Sequence, residues 1–323
     1  MSPAGRRPAD WGDLPAAPRP TGDDVGPAPA APAPEAPPTP RPRRAGPDAP
    51  GELRAALGGV SALLIDVDGV LTSRGLPIPG SGEAIDRLRE RGIPFRLLTN
   101  TSLVSRRSLA ERLGRIGIRV DPGSIVSCLS ASAALAAARW AGRPLFVFAT
   151  PEALTEFEGQ LVLSDGEAAA DGASVAAVIV GDAERGFTFD RLNLAFRLAR
   201  SGARLVAMHR NAWWNAEDGL RLDSGAFVRA LEFATGRRAL IVGKPAPAFY
   251  RIAIASLGVP AGHIAMVGDD PVTDVGGAAR IGLRTALVLT GRTSAADLRT
   301  PARGAAPPDA VAPSLAEVVA ALD

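Results

Sequence analysis

Short apolar runs alternate with helical patterns along most of the chain. "SALLI" (61–65) is followed by "SGEAIDRLRERG", whose periodicity predicts a helix with Ser81 as cap and Gly92 as stop. "FRLL" (95–98) leads into "SRRSLAERLGRIG", where Leu109, Leu113 and Ile116 share one helical face. Near the end "ALIV" (239–242) precedes "PAFYRIAIASLG", and "IAMV" (264–267) precedes "TDVGGAARIG". A last run, "TALVL" (285–289), and a terminal helix, "SLAEVVAALD", close the chain. Strands that are apolar on both faces and alternate with helices predict a parallel sheet covered on both sides. The fold class expected is α/β, a doubly wound parallel-sheet core.

Between these blocks lies a second α/β stretch. "PLFVFAT", "LVLS" and "VAAVIVG" read as strands, followed by the helix "FDRLNLAFRLARSG", the strand "RLVAM" and the helix "GAFVRALEFATG". This predicts an inserted α/β cap at 131–236, with the core formed by 53–130 and 237–323. Residues 1–52 have a different texture. The first fifty hold 15 of the 29 prolines, and six Arg offset six Asp or Glu. Such a segment cannot bury enough apolar surface to offset its ordering entropy, so a disordered tail is expected.

Composition narrows the classes. With 46% hydrophobic residues, 22% charged and a net charge of +2, the chain reads as an ordinary globular protein. No basic stripe interleaved with aromatics appears, so nucleic acid is not an expected partner. No apolar run reaches membrane-spanning length, and no secretory h-region comes after Arg6 and Arg7. The single cysteine, Cys128, fits a reducing compartment, so a cytoplasmic location is the expectation.

The chemistry lies in the polar residues that terminate the outer apolar runs. "SALLI" ends in Asp66, "FRLL" in Thr99, "ALIV" in Gly243–Lys244 and "IAMV" in Gly268–Asp269. Ligands bind at the carboxyl ends of strands in open parallel sheets, so these groups are expected to converge. Lys244 is the only lysine among 36 basic residues, in a chain that otherwise uses arginine. A compact ammonium is not interchangeable with a planar guanidinium at a crowded anionic site. Asp66 and Asp68 stand two apart, with Gly69 after them to turn the chain. Such a set suits phosphoryl transfer: one carboxylate attacks phosphorus, the other handles the proton, and Asp269 completes an oxygen site for Mg2+ with Asp66. Thr99 and Lys244 would hold the transferring oxygens.

"DVDGVL", "LLTNTS", "VGKPAPAFY" and "VGDDPVTDVGGAARIGL" resemble, in order, the four motifs of the haloacid dehalogenase superfamily. The pattern is similar to the subfamily with an α/β cap inserted between motifs two and three, which includes several small-molecule phosphatases. The resemblance covers 55–323. It implies a Mg2+-dependent phosphatase with Asp66 as nucleophile and metal ligand, and Asp68 as general acid/base with its main-chain carbonyl on the metal. It further implies Thr99 and Asn100 at the phosphate, Lys244 on the phosphate and nucleophile, Asp269 on Mg2+, and Asp274 in support. The Gly-Asp-x4-Asp spacing favours Asp269 and Asp274 over Asp270 as the metal-site pair. A small phosphorylated substrate and a homodimer through the cap are the partners it suggests.

Substrate selection is expected from the cap and its approach. Arg106 opens the helix after motif two, and "MHRNAWWNAEDG" carries His209, Arg210, Asn211 and Trp213. Trp213 could stack on a ring and Arg210 bind an anion; against this, a single such residue in a polar loop ordinarily packs or is solvated. Other classes fare worse: no G-x-G-x-x-G follows the first strand, and proline follows Gly-Lys where a P-loop needs Ser or Thr. A non-catalytic sensor with this fold would be expected to lack Asp66 or Asp68. A phosphotransferase is the nearest alternative enzyme, and added acceptor alcohols would distinguish it.

Overall fold

Ala62–Asp66, all five residues buried, form the strand around which the larger sheet of the computed structural model is built. The structure describes residues 46–170, 174–216, 219–300 and 304–322, with the Asn215 side chain left aside. The predicted tail therefore lies outside the described residues as far as residue 45.

In chain order the first segment comprises α1 (Pro50–Ala56), β1 (Ala62–Asp66), a small hairpin of β2 (Thr72–Ser73) and β3 (Leu76–Pro77), α2 (Ser81–Glu90), β4 (Phe95–Thr99), α3 (Arg106–Arg115), β5 (Ile125–Ser127) and α4 (Cys128–Arg139). The inserted part comes next: β6 (Leu145–Phe148), α5 (Asp165–Ala170), β7 (Ala177–Val180), α6 (Phe189–Arg200), β8 (Arg204–Ala207), a hairpin of β9 (Trp213–Ala216) and β10 (Gly219–Leu222), α7 (Ser224–Thr235) and β11 (Leu240–Ile241). The chain then returns through α8 (Pro247–Leu257), β12 (Ile264–Gly268), α9 (Gly276–Ala279), β13 (Arg284–Val288), β14 (Ala310–Ala312) and α10 (Leu315–Ala321).

The larger sheet is parallel, in the order β14-β13-β12-β1-β4-β5. From β1 the chain winds one way through β4 and β5, then the other way through β12, β13 and β14. The reversal falls between β1 and β12, where a crevice opens at the strand ends. Ile65 is in register with Val267 on one side and Leu97 on the other, so Asp66 and the ends of β4 and β12 emerge side by side. The second sheet is also parallel, in the order β11-β8-β7-β6. Its own core includes Phe146, Phe148, Val178, Leu198, Leu205 and Val228. Its other face shares one apolar cluster with the larger domain, from Ala62 and Leu98 through α4 to Val147 and Val206. No helix among the described residues is long and apolar enough to cross a membrane.

Several expectations need correction. "ALIV" does not join the larger sheet: β11 pairs only two residues, with β8, and Leu240 and Ile241 are half-buried as befits an edge. The inserted sheet therefore extends past the predicted boundary at 236. The core begins before 53: Asp48 N–H donates to Val311 O (2.8 Å), Val311 N–H to Asp48 Oδ2 (2.8 Å), and Leu53 and Leu57 are buried beneath α1. "LVLS" forms no strand beyond a lone bridge from Val162 to Leu145. Ser81 is the first residue of α2 rather than its cap, its hydroxyl being spent on Leu71 O at 3.0 Å. "TDVGGAARIG" gives only the four-residue α9 after a wide turn over Pro271–Val275, because Gly276 and Gly277 are poor helix formers and Asp270 binds Val272 N–H and Thr273 N–H.

Candidate active site

Four charged side chains meet at the reversal point. Lys244 Nζ lies 2.7 Å from Asp66 Oδ1 and 2.8 Å from Asp274 Oδ1. Asp66, Asp269 and Asp274 bring carboxylate oxygens within 4.8 Å of one another, and all three residues are buried. Asp66 Oδ1 also accepts from Val67 N–H at 2.7 Å, which fixes the carboxylate against its own strand end.

Three carboxylates and one ammonium leave net negative charge in a poorly solvated place. Burial pushes Asp66 up to about 6, although Lys244 pulls it down. Burial and the neighbouring Asp274 push Asp269 up to about 7; burial and Asp66 do the same for Asp274. Burial acts to lower Lys244, but Asp274 and Asp66 outweigh it, so the ammonium is held charged. An all-oxygen, electron-rich trio of this size fits a hard divalent cation such as Mg2+. The trio includes Asp274, which also pairs with Lys244, and leaves out the Asp68 carboxylate. The Asp68 side chain turns away toward Thr72 Oγ1 and Thr101 Oγ1, each at 3.4 Å. It stands exposed at the crevice yet ringed by protein, and burial raises its pKa while Lys244 opposes the rise.

Thr99 is buried at the end of β4, where its Oγ1 accepts from Thr101 N–H at 3.0 Å. Asn100 grips the Lys244 main chain from both sides: Lys244 N–H donates to Oδ1 (2.9 Å) and Nδ2 donates to Lys244 O (3.1 Å). Its amide thus positions the lysine. Asp270 caps the turn after β12 and is not in the trio.

The substrate-selecting residues expected from the sequence are mostly engaged elsewhere. Arg106 is held by Glu156 through Nε and Nη2 at 2.9–3.1 Å, an ion pair from α3 to the inserted part. Arg210 is bound to Glu232 of α7, which also accepts from Ala239 N–H at 2.8 Å. His209 is 2% exposed, with Nε2 3.2 Å from Ser102 Oγ and 3.3 Å from Ser224 Oγ, and Nδ1 accepts from Asn211 N–H at 3.3 Å. Burial lowers its pKa, so it is a neutral link between the two parts. Asn211 uses its main chain there, its carbonyl accepting from Gly225 N–H at 3.0 Å. Trp213 keeps a broad exposed surface, at 41%.

A clamp on Asp269 involves residues outside the expected set. Thr290 Oγ1 donates to Gly69 O (2.6 Å), Arg292 N–H to Asp269 Oδ2 (2.5 Å) and Thr293 Oγ1 to Asp269 O (2.7 Å). Gly69, at φ +89°, and Gly291 are both pressed onto Asp269. A Cβ on either would lie 2.2 or 2.1 Å from Asp269 Oδ2, closer than any side chain could sit.

A family model described as haloacid dehalogenase-like hydrolase matches residues 63–160, and a HAD-hydrolase-like model matches 241–318. The bovine (Bos taurus) haloacid dehalogenase-like hydrolase domain-containing protein 2 is 37% identical over 74% of this chain and 87% of its own length. Phospholysine phosphohistidine inorganic pyrophosphate phosphatase of Xenopus laevis is 33% identical over 77% of this chain and 90% of its own. Among solved structures, glycerol phosphate phosphatase from Mycobacterium tuberculosis, in complex with magnesium, superimposes with a TM-score of 0.72 at 27% identity. That match covers 81% of this chain and 77% of the other.

Proposed function

The chain belongs to the haloacid dehalogenase-like hydrolases, and on that premise we propose that it is a Mg2+-dependent phosphatase that cleaves small phosphorylated molecules through an aspartyl phosphate on Asp66. The observation that carries this reading is Lys244 lying between Asp66 and Asp274, with Asp269 beside them. The names of the relatives, phosphatases acting on small phosphorylated compounds, support the same class.

In the first half-reaction an oxygen of Asp66 bonds to phosphorus as the bond from phosphorus to the leaving oxygen breaks. Asp68, whose pKa burial raises, delivers a proton to the leaving oxygen. In the second half a water oxygen bonds to phosphorus, Asp68 takes the water's proton, and the bond to Asp66 breaks with its electron pair returning to the carboxylate. Lys244 offsets the charge gathered on Asp66 and the transferring oxygens, while Asn100 fixes where the ammonium stands. Asp66, Asp269 and Asp274 would hold Mg2+, which when bound supplies further neutralisation of the phosphoryl oxygens. The inserted part, linked to the segment after β4 through His209 and Ser102, would cover the site and limit access to small substrates.

The test is a panel of phosphomonoesters, phosphoramides and pyrophosphate, each with Mg2+ and with a chelator, with and without an acceptor alcohol. Metal-dependent release of inorganic phosphate from at least one small substrate is expected. Hydrolysis that persists in chelator, or none across the panel, overturns the reading.

A further inference from the structure

One short loop touches both the acidic trio and the inserted hairpin. Residues 290–293 leave the end of β13 and hold Asp269 by the Arg292 N–H and the Thr293 hydroxyl. The Arg292 side chain continues outward, its guanidinium carbon 5.0 Å from the centre of the Trp213 ring. Its Nε also lies 3.6 Å from Asp270 Oδ2, a partly exposed pair at a distance that contributes little. The ring contact is therefore the specific element. Trp213 opens β9, in a hairpin whose strands pair only with each other. The outer strand, β10, is exposed along its whole length. A two-stranded ribbon is marginal alone, so its position depends on what it rests against.

We propose that Arg292 is a positioning residue: through the face of Trp213 it ties the inserted hairpin to the loop that orients Asp269, so hairpin docking and order at the acidic trio form one event. The backbone of Arg292 binds the carboxylate and its side chain binds the ring, so one residue carries both contacts. Gly291 leaves the loop no slack, since Asp269 already fills the space a side chain would need. What the coupling serves, closing the site over a phosphorylated substrate, rests on the function proposed above; the coupling itself does not.

The full-length chain tests it without turnover. Amide hydrogen exchange is followed in the peptide spanning 289–294, in chelator, and Mg2+ affinity is measured by titration calorimetry. A guanidinium–ring contact shifts an equilibrium by about 2- to 30-fold. Trp213→Ala is thus expected to speed exchange in that peptide and to weaken Mg2+ binding, each by about that factor. Trp213→Phe, which keeps a ring face, should stay near the parent, and exchange in β1 should not change, showing that the fold is intact. The pair Trp213→Ala with Arg292→Ala should lose no more than the worse single variant, because both remove one contact. Trp213→Ala with parental exchange at 289–294, or additive losses in the pair, overturns the proposal. A chain that cleaves no phosphate yet shows the Trp213 dependence refutes the phosphatase reading and sustains this one.

Discussion

The side-chain amide of Asn100 closes a ring of two hydrogen bonds with the main chain of Lys244, one in each direction. The two residues are 144 positions apart, and the bond pair joins the end of β4 to the segment leaving β11. The ammonium is placed by this grip as much as by its own stem. Asn100→Ala should therefore lower kcat by about 100-fold, the scale of a displacement near 1 Å, with a smaller change in KM. Steady-state kinetics against the best substrate checks it, and kcat within twofold of the parent would remove Asn100 from this role.

Lys244 is 4% exposed and sits between two carboxylates at 2.7 and 2.8 Å. Arginine keeps the charge but brings a wide planar fork into a space sized for a point charge. Lys244→Arg should cost kcat severely, about 100-fold or more. Near-normal activity in this variant would mean that charge alone matters there.

Asp66→Asn should abolish turnover, since an amide cannot serve as the attacking oxyanion. The purified variant should still fold, because Asn can keep the bond from Val67 N–H. Metal-dependent activity surviving above background would move the nucleophile elsewhere.

The raised carboxylates give the metal-free protein an unusual pH response. Asp66 titrates near 6 and Asp269 and Asp274 near 7, against 3.8 in an unfolded chain. Between those values the folded state holds more protons than the unfolded state, so stability rises as pH falls through about 7. His209, depressed below 6.5, acts in the opposite sense at lower pH, so the comparison belongs above that value. In chelator, Tm should rise from about pH 8 to about pH 6.5; saturating Mg2+ should flatten the slope, and Asp274→Asn should reduce it. A Tm that falls over this interval in chelator contradicts the picture.

Deletion of residues 1–45 should leave kcat/KM unchanged within error. Deletion through 52 removes the two hydrogen bonds between Asp48 and Val311 and part of α1. At about 1 kcal/mol for each bond, Tm should drop by several degrees. Scanning calorimetry of the two truncations separates them; equal Tm values would place the true edge of the domain later.

What could be read in advance divides along physical lines. β1, β4 and β12 are apolar on both faces and end in Asp66, Thr99 and Asp269, so local pattern and strand-end chemistry sufficed. The same rule applied to "TALVL" would have found Thr290 and Arg292, since that run also ends in a polar turn. β11 shows where pattern stops: a four-residue apolar run does not say which of two sheets it joins. The partners of Arg106, Arg210 and His209, namely Glu156, Glu232 and Ser102, lie 50, 22 and 107 residues away. No spacing rule reveals such pairings.

Because β11 is the edge of the inserted sheet, the lysine beside the acidic trio follows directly from that sheet, while Asn100 ties it to the end of β4. The insertion is thus no detachable cartridge. A chimera that exchanges 131–236 for a foreign lid would sever β8 from its neighbour and let Lys244 drift. One that exchanges 145–241 would carry the strand across whole and keep the lysine's anchor. Whatever reshapes the lid to admit a new molecule must leave that last strand in step with the machinery below it.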